Sequence, residues 1–220
     1  MKDGTLYAGK LKRAYARLRQ SLPEPAIPEA DDPVRRLALS ILGEECGDEE
    51  AARAFEKALT TMVDLNELRV STPDQVHRAL GNRIPDGLER SRRLIRALQG
   101  VYEHEHRLSL DRLKNMGRRE ARLFLESLGG VNDYSAAAVM LWSFGGHAVP
   151  VNDALHQALR DSNLVHPAAT RVEVQAFLER NVPAAQIKEF CLLIQSLTGK
   201  RGVAAIKSAK SRKKEKTASK

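Results

Sequence analysis

Residues 128–136, Leu-Gly-Gly-Val-Asn-Asp-Tyr-Ser-Ala, lie between two helical runs and constrain the fold more than any other stretch of the chain. Upstream, Ala121, Leu123, Phe124, Leu125 and Leu128 recur at helical spacing. Downstream, residues 135–144 are apolar nearly all round, the mark of a buried helix rather than a surface one. Between them Gly129 and Gly130 can take positive φ, and Asn132 is one of the few other residues that tolerates it. A short glycine-containing turn between helices bares backbone N–H groups at the start of the second helix, where a phosphate can dock. Gly129, Gly130, Val131, Asn132 and Ser135 are therefore candidate phosphate contacts, with Arg118, Arg119 and Arg122 just upstream.

Helix is expected elsewhere too, because Ala, Leu, Arg and Glu dominate and aromatics are only 5%. Residues 10–21 read as a short basic amphipathic helix, after which Pro23, Pro25 and Pro28 prevent helix. Further helices are expected over 34–42, 49–62, 72–80, 88–104, 110–116, 118–128 and 135–144. Gly145-Gly146 then breaks the chain, Asn152 or Asp153 caps a helix to residue 160, and 167–181 and 183–197 supply two more. No apolar run reaches membrane-spanning length, and no apolar segment with a cleavage site opens the chain, so an intracellular protein is expected, with a monomer favoured. Cys46 and Cys191 lack metal-ligand spacing and read as small hydrophobes.

The hairpin stretch resembles the helix-hairpin-helix element of the HhH-GPD superfamily of DNA glycosylases, the endonuclease III-like proteins. The resemblance extends to Pro150-Val151-Asn152-Asp153 and covers roughly residues 10–197. It implies an all-α, two-lobed fold with duplex DNA in the groove between the lobes. A basic helix and linker at 1–32 would pack with a C-terminal lobe at 146–199, and 33–145 would form the other lobe, ending in the hairpin at 118–144.

Breaking a base–sugar bond builds positive charge on the sugar, which a nearby carboxylate stabilises. The resemblance places that carboxylate at Asn152 without a gap, or at Asp153 with a one-residue insertion; helix capping accounts for both side chains equally well. It places the Schiff-base lysine of bifunctional members at Tyr134, and a phenol cannot form an imine. It places at Glu45 the glutamine that probes the duplex, and a carboxylate there repels phosphate. Endonuclease III proper holds an iron–sulfur cluster on four C-terminal cysteines, whereas only Cys191 stands in this region, so no cluster or other cofactor is expected. Asp133 also adds negative charge to the turn.

Charge is concentrated at the ends. Residues 200–220 hold nine Lys/Arg against Glu215, and residues 1–20 hold six against Asp3. With a total of +8, residues 21–199 are net acidic at −5. The segment 200–220, including Lys213 and Lys214, reads as a disordered nonspecific phosphate binder. Arg90, Arg92, Arg93 and Arg96 read as a solvated helix face. The expected function is DNA binding in or near base-excision repair with catalysis weak or lost. The alternatives are an active monofunctional glycosylase using Asp153 and a protein-interaction scaffold on the same fold.

Overall fold

The computed structural model describes residues 2–206. Its α-helices are α1 (Gly4–Ser21), α2 (Pro33–Gly43), α3 (Asp48–Thr61), α4 (Leu65–Val70), α5 (Pro73–Leu80), α6 (Gly87–Glu105), α7 (Arg118–Ser127), α8 (Asp133–Trp142), α9 (Asp153–Asp161), α10 (Arg171–Asn181) and α11 (Ile187–Gln195). Short 3₁₀ turns precede α7 and flank α11, and no strand occurs among the described residues. No helix among them is long and apolar enough to cross a membrane.

Several starts follow from side chains that satisfy the orphan N–H groups of a first turn. Asp32 accepts from Arg35 N at 2.8 Å with Pro33 at the first helical position. Thr72 with Gln75, and Thr170 with Glu173, form reciprocal capping boxes at α5 and α10. The short α4, begun by Asp64 on Glu67 N, was not expected from apolar spacing; only Leu68 in it is buried.

The chain divides into two units. The first, Glu29–Pro150, packs α2 against α3, α6 and α8 around Leu37, Ile41, Leu42, Phe55, Leu94 and Leu98. As expected, α8 is buried on every side: Tyr134 and each residue after it to Trp142 is inaccessible or nearly so. Small side chains at Ala136, Ala137 and Ala138 let neighbouring backbones approach it.

The second unit, Met1–Pro28 with Val151–Lys220, packs α1 on α11 and α9 near α10. α1 begins six residues earlier than the periodicity suggests, because Tyr7 extends its buried stripe of Leu11, Ala14 and Leu18. Tyr15 crosses Phe190 edge to face at 5.3 Å and donates to Glu189 Oε2 at 2.9 Å. Burial and that acceptor push the phenol up to about 12.

Helix extends into the segment expected to be disordered from residue 200. Residues 200–206 are helical, and Ala205 and Ile206 are buried. Gly202 lies so close to the Ser196 carbonyl that a Cβ would collide with it, and Arg17 Nη1 donates to Ile206 O at 3.1 Å. Lys213, Lys214 and the rest of 207–220 lie outside the described residues. Removing residues 200–220 should therefore destabilise the protein by about 2 kcal/mol through loss of Ala205 and Ile206 burial. Thermal unfolding of the full and truncated chains will reveal the loss.

Candidate nucleic-acid interface

The hairpin consists of α7, a turn over residues 128–132, and α8. Leu128 N bonds Leu125 O and Val131 N bonds Leu128 O, both at 3.2 Å, which turns the chain sharply after α7. Gly130 alone in the turn takes positive φ, at 84°. A Cβ there would also strike the Arg93 carbonyl, so glycine is required twice over. Asn132 does not use the left-handed conformation expected of it: its φ is −112°, and it caps α8, Oδ1 accepting from Ser135 N at 2.9 Å. Gly129 is exposed, Val131 is half-buried and the Ser135 side chain is fully buried. None of the described residues accepts a hydrogen bond from the Gly129 or Gly130 N–H. Arg118 and Arg119 are exposed at the start of α7, while Arg122 is drawn along the helix to Glu126 at 2.8 Å.

The turn is held from behind by a residue the sequence did not single out. Glu44, only 6% exposed, accepts from Arg90 Nη1, from Arg93 Nη1 at 2.9 Å and from Asn132 Nδ2 at 2.9 Å. Arg93 Nε also donates to Gly130 O at 2.9 Å, and Arg90 Nη1 to Ile41 O at 3.1 Å. One carboxylate thus joins the end of α2, the body of α6 and the last residue of the turn. Burial opposes its ionisation, but the donors from Arg93, Arg90 and Asn132 outweigh burial and hold it below the usual carboxylate range.

Arg90 and Arg93 are therefore not part of a solvated face: Arg90 is 5% exposed. The signal was present, since Arg90 sits one turn before Leu94 on the stripe that continues through Ala97, Leu98 and Val101. Glu45, half exposed, pairs with Arg90 Nη2 at 2.9 Å, so its charge is engaged within this cluster.

The remaining candidates divide between the units. Tyr134, in the first turn of α8, is buried; burial pushes its phenol up, and the Asp48 and Glu44 carboxylates add to this. Asn152 and Asp153 belong to the other unit. Asn152 is 5% exposed and caps α9, with Oδ1 accepting from Leu155 N at 2.8 Å. Asp153 begins that helix with an exposed side chain 3.4 Å from Arg171 Nη1. Cys191 is buried and Cys46 half-buried, and no group of residues among those described is arranged to hold a metal ion.

The fold that carries this hairpin is that of the HhH-GPD DNA glycosylases. An endonuclease III trapped in a covalent DNA intermediate matches with a TM-score of 0.65 at 14% identity, over 89% of this chain and 86% of its own. A thermostable thymine-DNA glycosylase matches at 0.63 and 16% identity, over 90% and 89%. The 3-methyladenine DNA glycosylase of H. pylori bound to 1,N6-ethenoadenine matches at 0.63 and 15% identity, over 87% and 96%. No family model matches the sequence, and no curated protein does.

Glu44→Gln should cost about 3 kcal/mol, because it removes the buried counter-charge shared by Arg90 and the half-buried Arg93. Its folded pKa lies below the unfolded one, so the carboxylate's stabilisation is present above the ordinary carboxylate range and lost as pH falls through the folded value. Urea unfolding should show the gap between wild type and variant closing in acid; a gap unchanged at low pH would mean the charge is not what stabilises the cluster.

Proposed function

We propose that this chain binds duplex DNA through its hairpin and acts in or near base-excision repair, with glycosylase activity weak or lost. The observation that carries the reading is the turn at 128–132. Gly130 is locked at positive φ, Gly129 is exposed, and their N–H groups have no acceptor among the described residues. Such N–H groups in the turn leading into α8 suit a phosphate oxygen, and the dipole of α8 adds to the attraction. Exposed Arg118 and Arg119 bring cations to the same hairpin.

Weak or lost catalysis is the reading favoured by the residues at the resembling positions. An amide at Asn152, turned to its own helix, puts no negative charge beside a sugar cation. Tyr134 offers no amine and is buried. The lone cysteine after residue 150 favours a protein without an iron–sulfur cluster.

A fluorescence-anisotropy titration of a labelled duplex tests the binding. The double variant Arg118→Gln/Arg119→Gln should weaken it and make the salt dependence shallower by about two units, near 0.9 per lost phosphate contact. Unchanged affinity and slope would remove the hairpin from the interface. In parallel, duplexes with an abasic site should give no borohydride-trapped adduct, and duplexes with damaged bases no measurable release. Asn152→Asp should raise any residual release on the order of a hundredfold, the worth of one preorganised charge in a transition state. Rapid release by the wild type that Asp153→Asn abolishes would instead identify an active monofunctional glycosylase.

A further inference from the structure

We propose that the outward face of α1 is a second surface for the phosphates of duplex DNA, on the unit that does not carry the hairpin. The choice of DNA as the polyanion rests on the function proposed above; the surface itself rests on separate observations.

Charge is segregated by unit. Met1–Pro28 with Val151–Lys220 contains nineteen Lys/Arg against eight Asp/Glu, whereas Glu29–Pro150 contains seventeen against twenty. α1 concentrates the excess: its eighteen residues include Lys10, Lys12, Arg13, Arg17 and Arg19 and no carboxylate. Its apolar stripe of Tyr7, Leu11, Ala14 and Leu18 is buried, so these cations occupy the outer arc. A merely solvated helix gains from opposite charges spaced three and four residues apart, while like charges at that spacing repel. Arg13 and Arg17 stand at that spacing, and α1 supplies no carboxylate to relieve them. An external anion would.

Three of the five have internal work. Lys10 Nζ donates to Asn163 Oδ1 at 3.0 Å, Arg17 to Ile206 O, and Arg19 Nε to Glu189 Oε1 at 2.7 Å. Lys12 and Arg13 are exposed, and neither side chain pairs with any described residue. The Arg17 bond also brings the end of the described chain beside α1. A lipid surface is the poorer occupant. A membrane-bound basic helix needs its apolar face free, and here that face is buried, leaving Leu6 as the one large exposed apolar side chain of α1.

The test uses the full chain and a labelled undamaged duplex, titrated at several salt concentrations. Lys12→Gln/Arg13→Gln is compared with wild type, with Arg118→Gln/Arg119→Gln, and with a charge-matched control, Arg78→Gln/Arg107→Gln, at exposed sites of the other unit. The α1 variant should bind on the order of tenfold more weakly at low salt with a slope shallower by about two units. Its effect should add to that of the hairpin variant, and its melting temperature should not move. The control should retain the wild-type slope. An α1 variant indistinguishable from wild type, while the hairpin variant weakens, overturns the second surface and leaves the DNA reading intact. Equal losses in the α1 variant and the control also overturn it, by showing that net charge alone is felt. A wild type that binds no duplex even at low salt removes the DNA reading itself.

Discussion

A single buried carboxylate sets the arrangement of the hairpin-bearing unit. Glu44 lies where water is nearly excluded, so its charge is tolerable only while Arg90 and Arg93 face it and Asn132 donates to its other oxygen. Those three donors come from two different parts of the chain, and each does something else as well. Arg90 bonds the Ile41 carbonyl near the end of α2, Arg93 bonds Gly130 O, and Asn132 caps α8. The position of the turn relative to α6 is consequently over-determined. Gly130 makes the same point sterically, since its backbone is pressed against Arg93 more closely than any side chain would permit.

The same physical device recurs at positions where the family resemblance leads one to look for DNA contact or chemistry. Asn132 and Asn152 are both short amides placed just before a helix, and each spends its side-chain oxygen on the N–H three residues ahead. Burial then fixes Asn152 in the capping role, and the bond to Glu44 fixes Asn132. Asp153, one residue on, points outward from the first turn of α9, where a carboxylate also suits the helix dipole. Helix capping thus accounts for the side-chain oxygens of both asparagines.

The distribution of charge complements this. A hairpin unit with a small acidic excess would bind a polyanion weakly by long-range attraction, however well its N–H groups are directed. The basic excess of the other unit supplies the missing attraction in the function proposed here, with α1 presenting part of it on a rigid helix.

Local information was sufficient for much of the fold. Helical spacing with few β-branched runs specified an all-α chain, and caps such as Asp32-Pro33 and Thr72-Pro73 marked starts within a residue or two, because a first turn is satisfied by its nearest side chains. The apolar run that became α8 was legible as a buried helix for the same reason. The partners of charged side chains were not legible. Arg90 and Arg93 looked like a solvated face because a guanidinium is normally left in water, and only a carboxylate nearly fifty residues away changes that. Nor did sequence show that Asn132 would be extended rather than left-handed, since Asn tolerates both and the choice fell to Ser135 N and Glu44. The packing of residues 200–206 was hidden likewise: two apolar side chains in a basic run acquire a stable position only against other buried residues and the Arg17 donor. Sequence determined most of the helices, α4 and residues 200–206 excepted, because helix formation depends largely on neighbours along the chain; tertiary structure decided which charges are buried and what each one holds, because that depends on neighbours across it.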